Sequence, residues 1–555
     1  MTIQAFFAAL LALFTALWGN ITAFCTNLVN DYVFSVDAAQ LGEVLPNVKS
    51  NLNRFGGRFP EDPVINDEYD PYEFIEYIQL MECSGGNAGR DLFREPDNFD
   101  VTNDYDFGPL LASCRGVLKT GAKPLLKLGN VPAKLSRNAL AAAGADTGAF
   151  SVNIYPPDDY HEYYNYIKAI AQALVEEFGL DEVRSWRFGV MTEYENIDWF
   201  RAVSGDPQET AEAYCQLYDF TVQALIDVLG EDVFVGAHSM TCSEGLWDEE
   251  VFIRHCGTGT NYATGKTGSR ICYLSASYYE RKPGETGGTK TIPEIMKTLR
   301  GTAESVGLTD LIYGVDEGRI LCGLRAGKIS DELYSRTVGY TYQAAFDARL
   351  VKQMFDSGMD YFSSWEYCAE PENHGNPLIG YFVARHAARF AGARQAAVKT
   401  VIKGGIPKAD VNVAAAFDEE TGTLRLMAYN YKNKPDYKAE AEVAIKVNAP
   451  QLADGKATVT LYRIDDDCNW FDEWDAERVS LGVTDDKFAW SPDDGCPNWA
   501  DEQARQTFLS LQEKYAGYCK LEPVTSTVKV KNGSFTLDVT LAPHAVAFID
   551  VTSAG

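Results

Sequence analysis

Two apolar runs in this chain end abruptly in acids. Residues Ser185–Phe200 read S-W-R-F-G-V-M-T-E-Y-E-N-I-D-W-F. Trp186 to Val190 suits a buried strand of a parallel sheet. Glu193 then falls where the strand gives way to a loop, with Glu195 as a rival two residues on. Leu311–Ile320 reads L-I-Y-G-V-D-E-G-R-I and ends in Asp316 and Glu317. Side chains alternate along a strand, so one of these two is expected to face inward. Carboxyls on two strand ends can face each other across a barrel mouth. Glycoside hydrolysis needs that pairing: one acid protonates the leaving oxygen while the other attacks or supports the anomeric carbon.

The elements around these acids alternate between helix and strand. Leu52–Phe59 reads as an early strand and its loop, and Tyr72–Met81 as a helix. Phe107–Thr120 reads as a helix capped by Gly121, and Lys123–Leu128 as a third strand with Gly129 to Pro132 as its loop. Residues 138–150 read as an insertion. Helices are expected over Asp158–Phe178, Pro207–Leu229, Ile292–Val306, Asp331–Ser357 and Tyr381–Gly392. Strands are expected at Val233–Ala237, Ile271–Ser275 and Tyr361–Tyr367. This alternation predicts a (β/α)8 TIM barrel, whose C-terminal strand ends form the catalytic face. From Arg394 the pattern changes to seven short alternating runs between Val411 and Val551, with a turn at Asn532-Gly533. These predict a β-sandwich. The expected division is residues 1–24 as an apolar helix, 25–393 as barrel and 394–555 as β-sandwich.

At these motifs the sequence resembles glycoside hydrolase family 39, in the clan of retaining barrel glycosidases. The family's acid/base follows strand four in a W-x-F-x-x-x-N-E-P pattern. Trp186 and Phe188 match, and Glu193 falls on the acid/base. Glu317 falls on the nucleophile after strand seven. Thr192 stands where the Asn that binds the sugar 2-hydroxyl is usual, and Tyr194 where Pro is usual. The nucleophile segment lacks the usual T-E-W. After strand six, Ser277 replaces the His of I-S-x-H-x-Y, while Tyr279 keeps the Tyr. The resemblance implies retaining, exo-acting hydrolysis by two Glu residues without a cofactor. The implied substrates are β-xylosides, α-L-arabinosides or α-L-iduronide-like glycosides. It also implies that Tyr279 donates to the nucleophile and that Trp365 stacks on the sugar. T-E-Y in place of N-E-P leaves two alternatives: a transglycosidase on the same site, and a non-catalytic carbohydrate-binding barrel.

Further substrate-binding candidates are Thr192, His238 and Trp199, with Asn87 and Arg90 on the glycine-rich stretch Cys83–Phe93. Acids outnumber bases 79 to 49, a net charge of −30, which disfavours nucleic acid and ranks neutral sugars above uronides. Six histidines without an H-E-x-x-H pattern argue against a catalytic metal. The Asp465-Asp466-Asp467 run reads as a solvated acidic loop, with Ca²⁺ binding as the alternative. Twelve scattered cysteines form no disulfide pattern, and Cys272, Cys322 and Cys368 read as buried thiols. They favour a cytoplasmic setting, with secretion or membrane association through residues 1–24 as the alternative. Phe6, Phe7, Leu10, Leu11, Phe14, Leu17 and Trp18 make a helical stripe without basic flanks, expected to dock on another surface and so to support a homo-oligomer.

Overall fold

The computed structural model describes residues 31–554 apart from 66–67, 88, 145–150, 241–244, 282–289, 322–323, 326–327, 330–338, 366, 368–375, 403–408, 435, 485–486, 491–496 and 500. The expected docking helix at 1–24, Cys322 and Cys368 therefore lie outside the described residues.

Eight parallel strands close into a barrel. In chain order they are Asn51–Arg54, Tyr77–Leu80, Lys123–Leu128, Arg187–Val190, Val235–Ser239, Tyr273–Arg281, Ile312–Leu321 and Tyr361–Ser364. They are numbered one to eight below. The helices that follow carry clear start signals. Asp206 accepts from the backbone of Gln208 and Glu209, and Pro207 opens the helix that runs to Leu229. Thr291 and Glu294 form a capping box before Ile292–Ser305. Among the described residues, no helix is long and apolar enough to cross a membrane.

Several expected elements are corrected. Tyr72–Met81 is not a helix: it is a turn followed by strand two, Tyr77–Leu80. Ile78, Gln79 and Leu80 are all fully buried. A strand covered on both faces loses the period-two signal, and Phe74, Ile75 and Ile78 then imitate a helical stripe. Of the helix expected over Asp331–Ser357, Tyr342–Ser357 is helical, and residues 331–338 lie outside the described residues. Strand six runs on to Arg281, so Ser277, Tyr278 and Tyr279 lie within it rather than beyond it. Cys272 is half-buried, not fully buried.

The barrel does not begin at residue 25. Strand Asp31–Val44 lies in the C-terminal domain's nine-stranded sheet, between Arg394–Ile402 and Ala441–Asn448. The sheet's two end strands, Val524–Val530 and Ser534–Leu541, are consecutive in the chain and joined by the Asn532-Gly533 turn. The sheet must therefore roll over on itself. Its inner face buries Phe34, Val36, Val413, Leu426, Ile445 and Ile549. Two helices, Phe471–Arg478 and Glu502–Ala516, interrupt the strands. The acidic run 465–467 is built into the fold: Asp465 caps the backbone of Asp467, and Asp466 accepts from the Thr341 hydroxyl at 2.5 Å.

Phe34 is 1% exposed in a strand paired on both sides. Phe34→Ala should destabilise the C-terminal domain by about 3–5 kcal/mol, read as a lower urea midpoint. An unchanged midpoint would mean that this strand does not complete the domain's core.

Candidate active site

Glu193 is presented by a tight turn at the end of strand four. Met191 and Glu193 both adopt left-handed backbone, φ 65° and 44°. Such residues cost about 1–3 kcal/mol each unless their surroundings hold them. Here strand five does the holding. The Tyr194 amide donates to the His238 carbonyl at 3.0 Å. The Ser239 hydroxyl and the Met240 amide both donate to Glu195 Oε1 at 2.7 Å. A Cβ on Gly129 would come within 2.4 Å of the Met191 nitrogen, so only glycine lets strand three approach this turn. Glu193 and Glu195 differ in their surroundings. Glu195 is fully buried and ties the turn to strand five, while Glu193 keeps 7% exposure.

Glu317 reaches the same mouth through a bulge. Ala276 of strand six pairs with Val315, but the next pair is Ser277 with Glu317. Asp316 is the extra residue, and the expected alternation is broken. Both acids therefore turn inward. Asp316 is fully buried beneath the mouth, in an ion pair with Lys127 of strand three. Tyr361 of strand eight donates to Asp316 Oδ1 at 2.7 Å. His238 Nδ1 of strand five lies 4.0 Å from Oδ2. Gln79 of strand two donates to the Asp316 carbonyl at 3.2 Å. Glu317 keeps 7% exposure, and the Tyr279 hydroxyl lies 3.3 Å from its Oε1. The Trp365 indole donates to that hydroxyl at 2.9 Å.

The electrostatics separate these acids. Burial works to raise Asp316, but the Lys127 ammonium and the His238 and Tyr361 contacts outweigh it and hold the carboxyl below its usual range. Burial lowers Lys127, and Asp316 opposes that shift. Burial raises Glu193, while hydrogen bonds to Ser277 and Asn196 oppose the rise. Burial and the Glu193 charge push Glu317 well above the carboxylate range. Two buried carboxyls that repel each other in this way share one negative charge over a wide pH window.

The other expected site residues divide. Tyr279 and Trp365 stand beside Glu317. Thr192 is next to Glu193 but only 1% exposed. His238 and Trp199, at 0% and 2% exposure, have almost no surface to offer a ligand, so the expectation of sugar contact fails for both. Asn87 donates to the Ser151 carbonyl and accepts from the Gly89 amide, which shapes its own loop. Arg90 forms an ion pair with buried Glu82. Lys127, Asn196 and Tyr361 are site residues that the sequence did not single out. A lysine inside the apolar strand K-P-L-L-K-L was the one available signal.

Fold and site together define a class: (β/α)8-barrel proteins with two buried carboxyls at the mouth, one just after strand four and one within strand seven, the layout suited to glycosidic bonds. The family model of glycosyl hydrolases family 39 matches residues 90–419, more than half of the 555. The chain belongs to that family. It is 32% identical over 115 residues to a β-xylosidase of Caldicellulosiruptor saccharolyticus, a match spanning 21% of each chain. It is 23% identical over 400 residues to an α-1,4-L-rhamnosidase of Formosa agariphila, covering 67% of this chain and 72% of that one. A bacterial orthologue of human α-L-iduronidase superposes with a TM-score of 0.62 at 14% identity, covering 95% of this chain and 84% of that one. A monomeric β-xylosidase from Caulobacter crescentus CB15 gives 0.59 at 13% identity, covering 94% and 100%. At these identities the structural likeness is one of fold.

The buried ion pair yields a double-mutant cycle. Lys127→Met or Asp316→Asn alone should cost about 3–5 kcal/mol of stability, because each strands a buried charge. The double variant should recover a large part of that loss. Simple additivity in denaturant titrations would show that the two groups do not depend on each other.

Proposed function

We propose that the protein is a retaining, exo-acting glycoside hydrolase, with Glu193 as acid/base and Glu317 as nucleophile. The observation that carries this reading is the pair of buried carboxyls at the barrel mouth, both raised by burial and Glu317 raised further by the Glu193 charge. The scheme requires the monoanionic tautomer with the proton on Glu193 and the charge on Glu317, the reverse of the order that burial and the Glu193 charge favour in the free site. The Tyr279 hydroxyl favours that distribution by donating to Glu317 Oε1. Protonated Glu193 donates to the glycosidic oxygen as Glu317 attacks the anomeric carbon, and the aglycone leaves with the proton. Ionised Glu193 then takes a proton from water, whose oxygen displaces Glu317 from the same face. The anomeric configuration is retained. Trp365, at 6% exposure beside Tyr279, offers its ring to the sugar.

The substrate we favour is a neutral sugar, a β-xyloside or an α-L-arabinoside-like glycoside. The net charge of −30 supports this choice over uronides. The sequence similarity to a β-xylosidase and to an α-1,4-L-rhamnosidase points the same way. A panel of aryl pentosides and aryl uronides, followed by NMR of the first-formed anomer, tests both substrate and stereochemistry. Retention on a pentoside is expected, and inversion would sink the nucleophile assignment.

The same reading predicts a carboxyl separation of about 5–5.5 Å in a sugar complex. Glu317→Ala should abolish turnover. Glu193→Ala should be rescued by azide on substrates with good leaving groups, which need no acid. Azide rescue of Glu195→Ala instead would move the acid to the wrong residue for this scheme. Activity should follow a bell in pH whose two limbs belong to the coupled Glu193–Glu317 pair and lie above the ordinary carboxylate range. In Glu317→Gln the neighbouring charge is gone, so Glu193 should titrate at lower pH than in the wild type.

A further inference from the structure

The excursion at 465–523 belongs to the C-terminal domain by chain but not by packing. It leaves strand Gly455–Ile464 and returns at strand Val524–Val530. Its aromatic side chains Trp470, Phe471, Trp474, Phe508 and Tyr515 are at most 2% exposed. They join the barrel's core rather than the inner face of the nine-stranded sheet. The Phe508 ring lies 5.6 Å from Trp470 and 5.1 Å from Trp474, centroid to centroid, which ties the two helices of the excursion into one body.

That body lands on the catalytic face. Residues 339–341 follow strand seven and precede the helix Tyr342–Ser357, and residues 376–378 follow strand eight and precede the helix Ile379–Ala388. Such strand-to-helix segments form the rim of a barrel's mouth. Asn469 donates to the Gly339 carbonyl at 3.0 Å, and the Tyr340 hydroxyl donates to Asp475. A Cβ on Gly339 would come within 2.3 Å of the Phe471 ring. At the neighbouring segment the Trp470 indole donates to the Pro377 carbonyl at 2.6 Å, and Asn376 donates to the Gln512 carbonyl at 3.0 Å.

From Pro377 the contacts run inward. The Leu378 amide donates to the Tyr367 carbonyl at 2.7 Å. The Tyr367 hydroxyl meets the Ser364 hydroxyl at 2.7 Å, and Trp365 lies between these two residues in the chain. The Trp365 indole donates to the Tyr279 hydroxyl, which lies 3.3 Å from Glu317 Oε1. We propose that Trp470 is a positioning residue for the active site: by holding the Pro377 carbonyl it fixes the segment after strand eight, and with it the Trp365 indole that orients Tyr279 on Glu317. The C-terminal domain thereby supplies part of the frame of the mouth. The inference rests on Glu317 being the nucleophile.

The test reads the Trp365 indole directly. The full chain is labelled with ¹⁵N-indole tryptophan, and the Trp365 N–H resonance is assigned by its loss in Trp365→Phe. Trp470→Phe keeps an aromatic ring and deletes the N–H. Hydrogen exchange at the Trp365 indole should then speed up roughly tenfold, the worth of one hydrogen bond. Asn376→Ala, which removes the neighbouring bond, should act in the same direction and carries the test if Trp470→Phe does not fold. Ile549→Val thins the sheet's own core and should leave the exchange unchanged. Wild-type exchange in the folded variant, or equal acceleration in Ile549→Val, overturns the proposal. A kinetic arm uses phenyl β-D-xyloside. Trp470→Phe should lose roughly tenfold in kcat/KM in the wild-type background and nothing further in Trp365→Phe, because both changes break one chain of contacts. An undiminished loss in Trp365→Phe overturns the proposal, since a general loss of stability would add. If Glu317→Ala turns over the xyloside like the wild type, the nucleophile assignment fails instead, and the exchange arm alone decides whether Trp470 holds Trp365.

Discussion

The ion pair between Lys127 and Asp316 lies in the barrel interior with both side chains fully buried. Each ion alone would be expensive there, so the two must stay together. Their union links strand three to strand seven. Tyr361, Gln79 and His238 bring strands eight, two and five to the same point. Glu317 is the next residue in the chain, so whatever holds Asp316 also sets the height at which Glu317 enters the mouth. The bulge makes this possible by placing one extra residue, Asp316, beneath the mouth while the following one, Glu317, keeps access to it.

Neighbouring acids on each strand end divide the same labour. Glu195 is wholly used in holding its turn against strand five, and Asp316 in neutralising a lysine. Glu193 and Glu317 are left with limited exposure and with each other. Burial alone would neutralise both. Tyr279, Asn196 and Ser277 supply the hydrogen bonds that let one of them ionise, and the remaining proton is what an acid catalyst requires. The strained backbone at Met191 and Glu193 persists because three hydrogen bonds from strand five fix the turn.

The C-terminal domain is joined to the barrel at both ends of the catalytic segment. Strand Asp31–Val44 sits inside the nine-stranded sheet and leads directly into strand one, while Ala393 bonds back to Leu45 at 2.8 Å. The Tyr342 and Tyr431 hydroxyls meet at 2.8 Å across the contact, and the Trp470 indole donates to the Pro377 carbonyl at 2.6 Å. The barrel therefore cannot be separated cleanly at Arg394: removing the C-terminal domain would strip partners from Asp31–Val44 and uncover apolar surface.

The sequence by itself determined the alternating architecture, the placement of acids at the ends of strands four and seven, and the helices with clear caps, because apolar periodicity and capping chemistry are local. It also singled out Tyr279 and Trp365, although strand six runs on past Tyr279. Only tertiary structure decided which acid of each neighbouring pair is exposed. That choice depends on a bulge between strands six and seven and on donors from strand five, far apart in the chain. The same holds for strand two, whose burial on both faces erased its period, and for Asp31–Val44, whose partners, such as Arg394 and Glu442, come from the far end of the chain. His238 and Lys127 are the sharpest cases. Nothing near them in sequence distinguishes a ligand of substrate from a buried support, because that difference is made by the atoms packed around them.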